Sequence, residues 1–274
     1  MVSQEQRRRQ LAREKFLRQQ QRRTSARRKA RMRNSVIASV LGVVVIGSVA
    51  LYTTGVLKNS DDKKTNASSE TTPSASPSSK APDPCEKPAA GSIKKQSWKQ
   101  EPAMSIDTSA KYTMKLATTC GDIGIALKTS AAPHTVNSFD FLAGKGFFDH
   151  TKCHRLTTNG IYVLQCGDPT GVGSGGPGYT IPDENLKDSS LKGNKYPAGT
   201  VAMANTGQKH TGGSQFFLVY KDSPLPPSYT PFGTIDAAGL KVLDKIAAAG
   251  ENTGQGDGAP NATVVINKAT VTKA

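Results

Sequence analysis

Arg155 and Gln165 are the residues of this chain best suited to chemistry. They lie in the run CHRLTTNGIYVLQCGD, Cys153 to Asp168, with mostly uncharged residues between them. Neither is a nucleophile. No serine occupies a nucleophile elbow and no carboxylate pair stands in an acid/base context, so covalent and hydrolytic chemistry have no support. What the two can do is donate: a guanidinium stays charged and rigid, and an amide can hold it in place. His154, Asn205, the aromatics Tyr162, Phe216, Phe217 and Tyr229, and the apolar Val163, Met203 and Leu225 could complete a site around them. The plainer reading of the same residues makes the aromatics core and Arg155 a surface ion-pair partner.

Other chemistries fit less well. His150, Cys153 and His154 offer zinc-ligand types at close spacing, but neighbouring strand residues point to opposite faces and no second ligand pair follows at a usual interval. GVGSGG, residues 171 to 176, has the form of a dinucleotide-binding turn. Such a turn must open a helix, and here Pro177 and Gly178 follow, so the run reads as a long glycine-rich loop. The four cysteines favour disulfides if the domain lies outside the cytoplasm. Cys153 and Cys166 flank an expected strand pair, which favours their bridge and leaves Cys85 with Cys120, although four cysteines allow three connectivities.

The elements that must position these residues are mostly strands. KYTMKLATTCGDIGIAL reads as a hairpin, with Tyr112, Met114 and Leu116 alternating before the turn and Ile123, Ile125 and Leu127 after it. APHTVNSFDFLAGKG and DAAGLKVLDKIAAAG have helical spacing, the second with Asp236 as its cap. GSQFFLVY and TVVINKATVT supply further strands. One domain over residues 111–274 follows, with no internal repeat. Residues 58–110, rich in Ser, Thr, Ala, Pro and Lys, read as an extracytoplasmic linker that cannot bury enough apolar surface to order itself. Its second half holds Cys85, Trp98 and Met104, which could pack back on the domain. Asn66 heads a formal glycosylation triplet of little weight.

The net charge is +15, and 13 Lys or Arg against Glu5 and Glu14 put +11 of it in residues 1–34. Behind that block, residues 35–57 carry no charge. As a helix they would be about 34 Å long, against a hydrocarbon core of about 30 Å. The expectation is a single-pass signal-anchor, with the basic tail cytoplasmic and the domain outside the cell membrane. A cleaved signal peptide is the rival, but its basic region would be unusually long. Phe16 is the only aromatic of the tail, so no stacking platform for nucleic acid is present and no nucleic-acid partner is expected.

Taken in order, TVNSFDFLA, GFFDHTKCHRL, YVLQCGD, GGPGY, TVAMANTG, GGSQFFLVY and PFGTI run across nearly all of residues 111–274, and on them the chain resembles the cyclophilin family of peptidyl-prolyl cis-trans isomerases. The resemblance implies a closed eight-stranded antiparallel β-barrel with a helix over each end. It also implies rotamase activity on Xaa-Pro bonds, no cofactor and no metal. Residue by residue, Arg155 matches the catalytic arginine, Gln165 its supporting glutamine and Asn205 the substrate-backbone contact. Tyr162, Val163, Phe217, Leu225 and Tyr229 match the proline pocket and its rim, Met203 is counted with them as a substrate-binding candidate, and His154 precedes the arginine in a structural role. The chain also departs from the pattern. The turn between Arg155 and Gln165 is longer than in typical members, Pro224 stands where a tryptophan important for cyclosporin binding is usual, and Tyr229 replaces the rim histidine. The expected protein is a membrane-tethered monomeric isomerase of exported, folding proteins, in a Gram-positive bacterium. The alternative is a binding or chaperone module that holds proline segments without turnover.

Overall fold

A computed structural model describes residues 82–274. The basic tail, the apolar segment 35–57 and residues 58–81 lie outside the described residues, and among those described no helix is long and apolar enough to cross a membrane.

The hairpin forms where the alternation requires it. β1 (Tyr112–Thr118) and β2 (Gly121–Leu127) pair antiparallel from Tyr112 opposite Leu127 to Thr118 opposite Gly121. Met114, Leu116, Ile123 and Ile125 are all fully buried on one face. α1 (Pro133–Gly144) opens on a proline, whose missing N–H costs nothing at that position. Its first turn has no cap of its own. Glu184 supplies one from a distant loop, accepting from the backbone N–H groups of His134 (3.0 Å) and Thr135 (2.9 Å) and from the Thr135 hydroxyl (2.7 Å). Phe139 on this helix is wholly buried, with its ring centroid 4.5 Å from Phe232, 5.3 Å from Phe148 and 5.5 Å from Phe216. α2 (Ala237–Ala248) is capped by Asp236, which accepts from the Gly239 N–H at 2.6 Å. Gly239 lets this helix approach β2 closely, since a Cβ there would stand 2.9 Å from Ile123 and 2.8 Å from Ile235.

The remaining strands are β3 (Thr151–Lys152), β4 (Arg155–Thr157), β5 (Val163–Cys166), β6 (Lys195–Tyr196), β7 (Thr200–Met203), β8 (Phe216–Val219), β9 (Ser223–Pro224), β10 (Pro231–Ile235), β11 (Asp257–Gly258) and β12 (Val265–Lys273). Ten of the twelve strands, β1 and β2 included, form one curled sheet in the order β11-β4-β5-β8-β7-β10-β2-β1-β12-β3, and β6 pairs only with β9. This corrects the expectation of a closed eight-stranded barrel. β3 and β4 are consecutive in the chain yet sit toward opposite ends of the ladder, so the seam between them is spanned by Cys153 and His154 rather than by strand pairing. No turn separates β3 from β4; the chain runs on through Cys153 and His154 from the β12 side of the seam to the β5 side, and the barrel stays open there. Cys153 N–H donates to Val264 and His154 N–H to Gln165, one toward each side of the seam.

The disulfides are Cys85–Cys120 and Cys153–Cys166. Because Cys153 is bridged, it has no thiolate to offer a metal, and no cluster of metal-ligating residues exists among the described residues. Residues 82–110, which by composition read as linker, lie as a strap along the domain. Glu86 N–H donates to Thr119 at 2.8 Å and Trp98 N–H to Pro177 at 2.8 Å. The Trp98 ring stands edge-on to Phe141 at 5.1 Å. Asn137, buried in α1, donates to the carbonyls of Pro102 and Ala103 and accepts from the Ser105 N–H. One disulfide, one indole and one buried amide hold what its polar composition alone would leave loose.

Candidate active site

The register of four neighbouring strands builds the site. Arg155 lies opposite Gln165, Gln165 opposite Phe217 and Phe217 opposite Ala202, so these four form one row across β4, β5, β8 and β7. Residues two positions along each strand share their face, which adds Val163 and its partner Val219. The intervening residues, Leu156, Leu164, Cys166, Phe216, Leu218, Val201 and Met203, belong to the main core on the other side of the sheet. Val163, Phe217, Val219 and Ala202 instead form a second apolar cluster with Tyr196 and Leu191, against which Leu225 and Tyr229 pack half-buried. The rim is pinned: the Tyr196 hydroxyl donates to the Tyr229 carbonyl at 2.7 Å and accepts from its N–H at 3.1 Å. Burial pushes the Tyr196 phenol up to about 12.

A chain of directed hydrogen bonds sets the arginine. Its Nη1 donates to Gln165 Oε1 at 3.2 Å, Gln165 Nε2 donates to Gln215 Oε1 at 2.9 Å, and Gln215 Nε2 donates to the Gly175 carbonyl at 2.9 Å. On its other edge Arg155 Nε and Nη2 donate to the two carboxylate oxygens of Asp257, each at 2.7 Å. The hydrogen bond to Asp257 raises the arginine's pKa and burial works against it, so the group is a permanent cation. Hydrogens remain on Nη1 and Nη2 for a substrate. The surface ion pair of the plainer reading therefore exists, and it coexists with a place in the same cross-strand row as the second apolar cluster.

Not every expected residue joins this cluster. Met203 falls one position out of step with Ala202 and lies in the main core, 3% exposed, so it is not a pocket residue. Tyr162 is likewise out of step with Val163, and its ring packs against Tyr220 and beneath the Lys221 ammonium instead. The Asn205 carboxamide is occupied at both ends, donating to the Ser228 carbonyl and accepting from the Gly207 N–H, which leaves its main chain for a ligand. The His154 ring nitrogens are shielded and have no hydrogen-bond partner. Burial lowers the pKa of this imidazole, which favours its neutral form, and the ring packs close to Gly173 of the glycine-rich loop. Pro224 is exposed on β9. Asp257, Gln215 and Tyr196 carried no signal that singled them out: Asp257 lies in GENTGQGDGAPN, which has no strand period, and Gln215 was visible only inside GGSQFFLVY.

The glycine-rich run after Gln165 wraps an acid, not a ligand. Asp168, fully buried, accepts from the backbone N–H groups of Thr170, Val172, Gly173 and Ser174 and from the Thr170 hydroxyl. Burial pushes its carboxyl up, but the hydrogen bonds from Thr170 and the glycines prevail and hold it at about 2. This loop, Gln165, Asn205 and residues 99–101 of the strap bound an open groove of about 1120 Å³.

A fixed cationic donor beside an apolar cluster, with an open groove alongside and no nucleophile-and-base pair among the described residues, fits a protein that binds a polypeptide and changes its conformation without cutting it. Residues 113–271 match the sequence model of the cyclophilin type peptidyl-prolyl cis-trans isomerase/CLD family. A Mycobacterium leprae protein named "Probable peptidyl-prolyl cis-trans isomerase B" is 46% identical over 203 residues, covering 71% of this chain and 68% of that protein. A Mycobacterium tuberculosis protein of the same name is 52% identical over 165 residues, covering 57% of this chain and 53% of that one. The crystal structure of a Cryptosporidium parvum cyclophilin type peptidyl-prolyl cis-trans isomerase superposes with a TM-score of 0.50 at 26% identity, over 60% of this chain and 99% of that one. The chain belongs to the cyclophilin-type peptidyl-prolyl cis-trans isomerase family, and its folded domain is an isomerase of that class.

Proposed function

We propose that this protein accelerates rotation about Xaa-Pro bonds in exported proteins as they fold, working as a monomer tethered to a bacterial membrane by residues 35–57. The observation that carries the catalytic part is the placing of Arg155 in the same cross-strand row as Phe217, beside the apolar cluster with Val163, Leu225 and Tyr229, whose surface would offer the proline ring a shallow hollow.

The physical argument runs from the bond itself. Amide resonance sets a barrier of roughly 18–20 kcal/mol, and Xaa-Pro bonds cross it in tens to hundreds of seconds. At the twisted transition state the proline nitrogen regains its lone pair. A donor aimed there is favoured over the planar ground state, which is differential binding in its simplest form. A charge-assisted hydrogen bond is worth about 1.5–3 kcal/mol, or about one to two decades in rate. The apolar hollow supplies the remainder by seating the proline ring and excluding water that stabilises the resonant amide. The Asn205 main chain would anchor the flanking peptide. No covalent bond changes, so no cofactor or metal chemistry is needed.

The location rests on the uncharged run behind a tail of charge +11 and on two disulfides, which persist outside the reducing cytoplasm. The test is isomerisation of a short Xaa-Pro peptide by the full chain in mild detergent at low temperature. Acceleration that falls about tenfold or more in Arg155→Ala is expected. A folded wild-type chain that binds the peptide without accelerating it would instead be a proline-binding module. Digestion of the domain by protease added outside intact cells, with the basic tail protected, checks the topology.

A further inference from the structure

We propose that Asp257 is a positioning residue for the isomerase reaction, clamping the far edge of the Arg155 guanidinium so that its free hydrogens stay aimed at the substrate. The inference rests on the isomerase reading of Arg155 and goes beyond it.

The geometry is a two-point lock. Both Asp257 oxygens accept from Arg155, at Nε and Nη2, while Gln165 takes Nη1, so the planar cation is held at both edges. A bidentate pair fixes the plane of a guanidinium in a way that one amide cannot. The carboxylate is delivered by a built loop. Glu251, nearly buried, accepts from the N–H groups of Thr253 and Gly256 and from the Thr253 hydroxyl, which folds residues 251–256 onto one acid. The loop then docks on the turn that follows Arg155: Thr158 N–H donates to the Gly256 carbonyl at 2.9 Å, and Asp257 pairs with Thr157 in β4. Gly256 has φ +85°, and a Cβ there would stand 2.5 Å from the Asn159 side chain, so the close approach needs glycine. The turn after Arg155 thus gives the acidic loop its seat.

The side chains of the pair are 37% and 55% exposed for Arg155 and Asp257, so salt weakens the clamp while leaving the buried fold intact. The experiment measures kcat and KM of the full chain with an Xaa-Pro peptide for wild type, Asp257→Asn and Asp257→Glu, at low and high salt. Loss of aim without loss of binding is expected to lower kcat about three- to tenfold in Asp257→Asn, with KM within about twofold. Asp257→Glu should recover at least half of the loss. High salt should bring wild type toward the Asp257→Asn rate and leave that variant's rate unmoved. An unchanged or raised kcat in Asp257→Asn would overturn the proposal, as would a fall that neither glutamate rescues nor salt reproduces. Arg155→Ala, run alongside, separates the two claims: if it keeps full activity, the isomerase reading of Arg155 fails; if it loses activity while Asp257→Asn does not, only the clamp fails.

Discussion

The two faces of the patch formed by β4, β5, β8 and β7 differ in chemistry although the same strands make both. Facing the main core are Leu156, Leu164, Phe216, Leu218, Val201 and Met203, none of them titratable. On the opposite face Arg155 and Gln165 meet Val163, Phe217, Val219 and Ala202, beside a groove open to solvent. Stability and catalysis are thus separated by one residue of strand parity, and each face can be altered while the other is kept.

Adjacent phenylalanines offer the sharpest contrast. Phe216→Ala should cost about 3–5 kcal/mol of stability through the cavity it leaves beside Phe139 and Phe148, read as a lower midpoint in urea, with kcat/KM per folded molecule almost unchanged. A large loss of activity in the folded Phe216 variant would erase the distinction between the faces. Acid provides the next test, because the wall of the outer face holds Asp168 and the core residues hold no acid. A carboxyl held at about 2 against an ordinary 3.8 is worth roughly 2 kcal/mol. Its folded pKa is depressed, so the contribution is present above about pH 4 and is lost as pH falls toward about 2. Urea unfolding at pH 5 and pH 2.5 should show this loss in wild type and a smaller one in Asp168→Asn. Phe217→Ala should raise KM about tenfold, since the ring floors the hollow and removing it weakens binding in ground and transition states alike. The smallest effect is expected for Met203→Leu, under about 1.5 kcal/mol and without change in KM; a shifted KM would return Met203 to the substrate face.

That parity is also where reading the chain from its residues reached its limit. Tyr112 to Leu116 and Ile123 to Leu127 alternate because one side of the hairpin is less buried, so their inward face could be named in advance. TVAM and FFLV are buried at every position, because core covers one face and the second cluster the other. No alternation survives to say which of Ala202 and Met203 faces substrate. The helices were legible from Pro133, Asp236 and their apolar spacing, whereas the Glu184 cap comes from a segment with no periodicity at all. Arg155 and Gln165 were legible as a donor pair, but the acid that grips the arginine arrives from a two-residue strand about a hundred positions away. In the strap, Cys85 and Trp98 were local signs of docking inside a sequence whose average composition says coil. The open seam shows only in the pairing, β3 with β12 and β4 with β5, which no count of strands could reveal.

The pairing of β1 with β12 joins Tyr112 to Lys273, at the two ends of the domain. A chain made from its N-terminus therefore cannot complete its sheet until β12 has emerged, and contacts of such long sequence separation form slowly. Until then the hairpin of β1 and β2 exposes an unpaired edge beside Met114, Leu116, Ile123 and Ile125, an apolar surface open to premature association. A prolyl isomerase of this topology is itself among the late finishers.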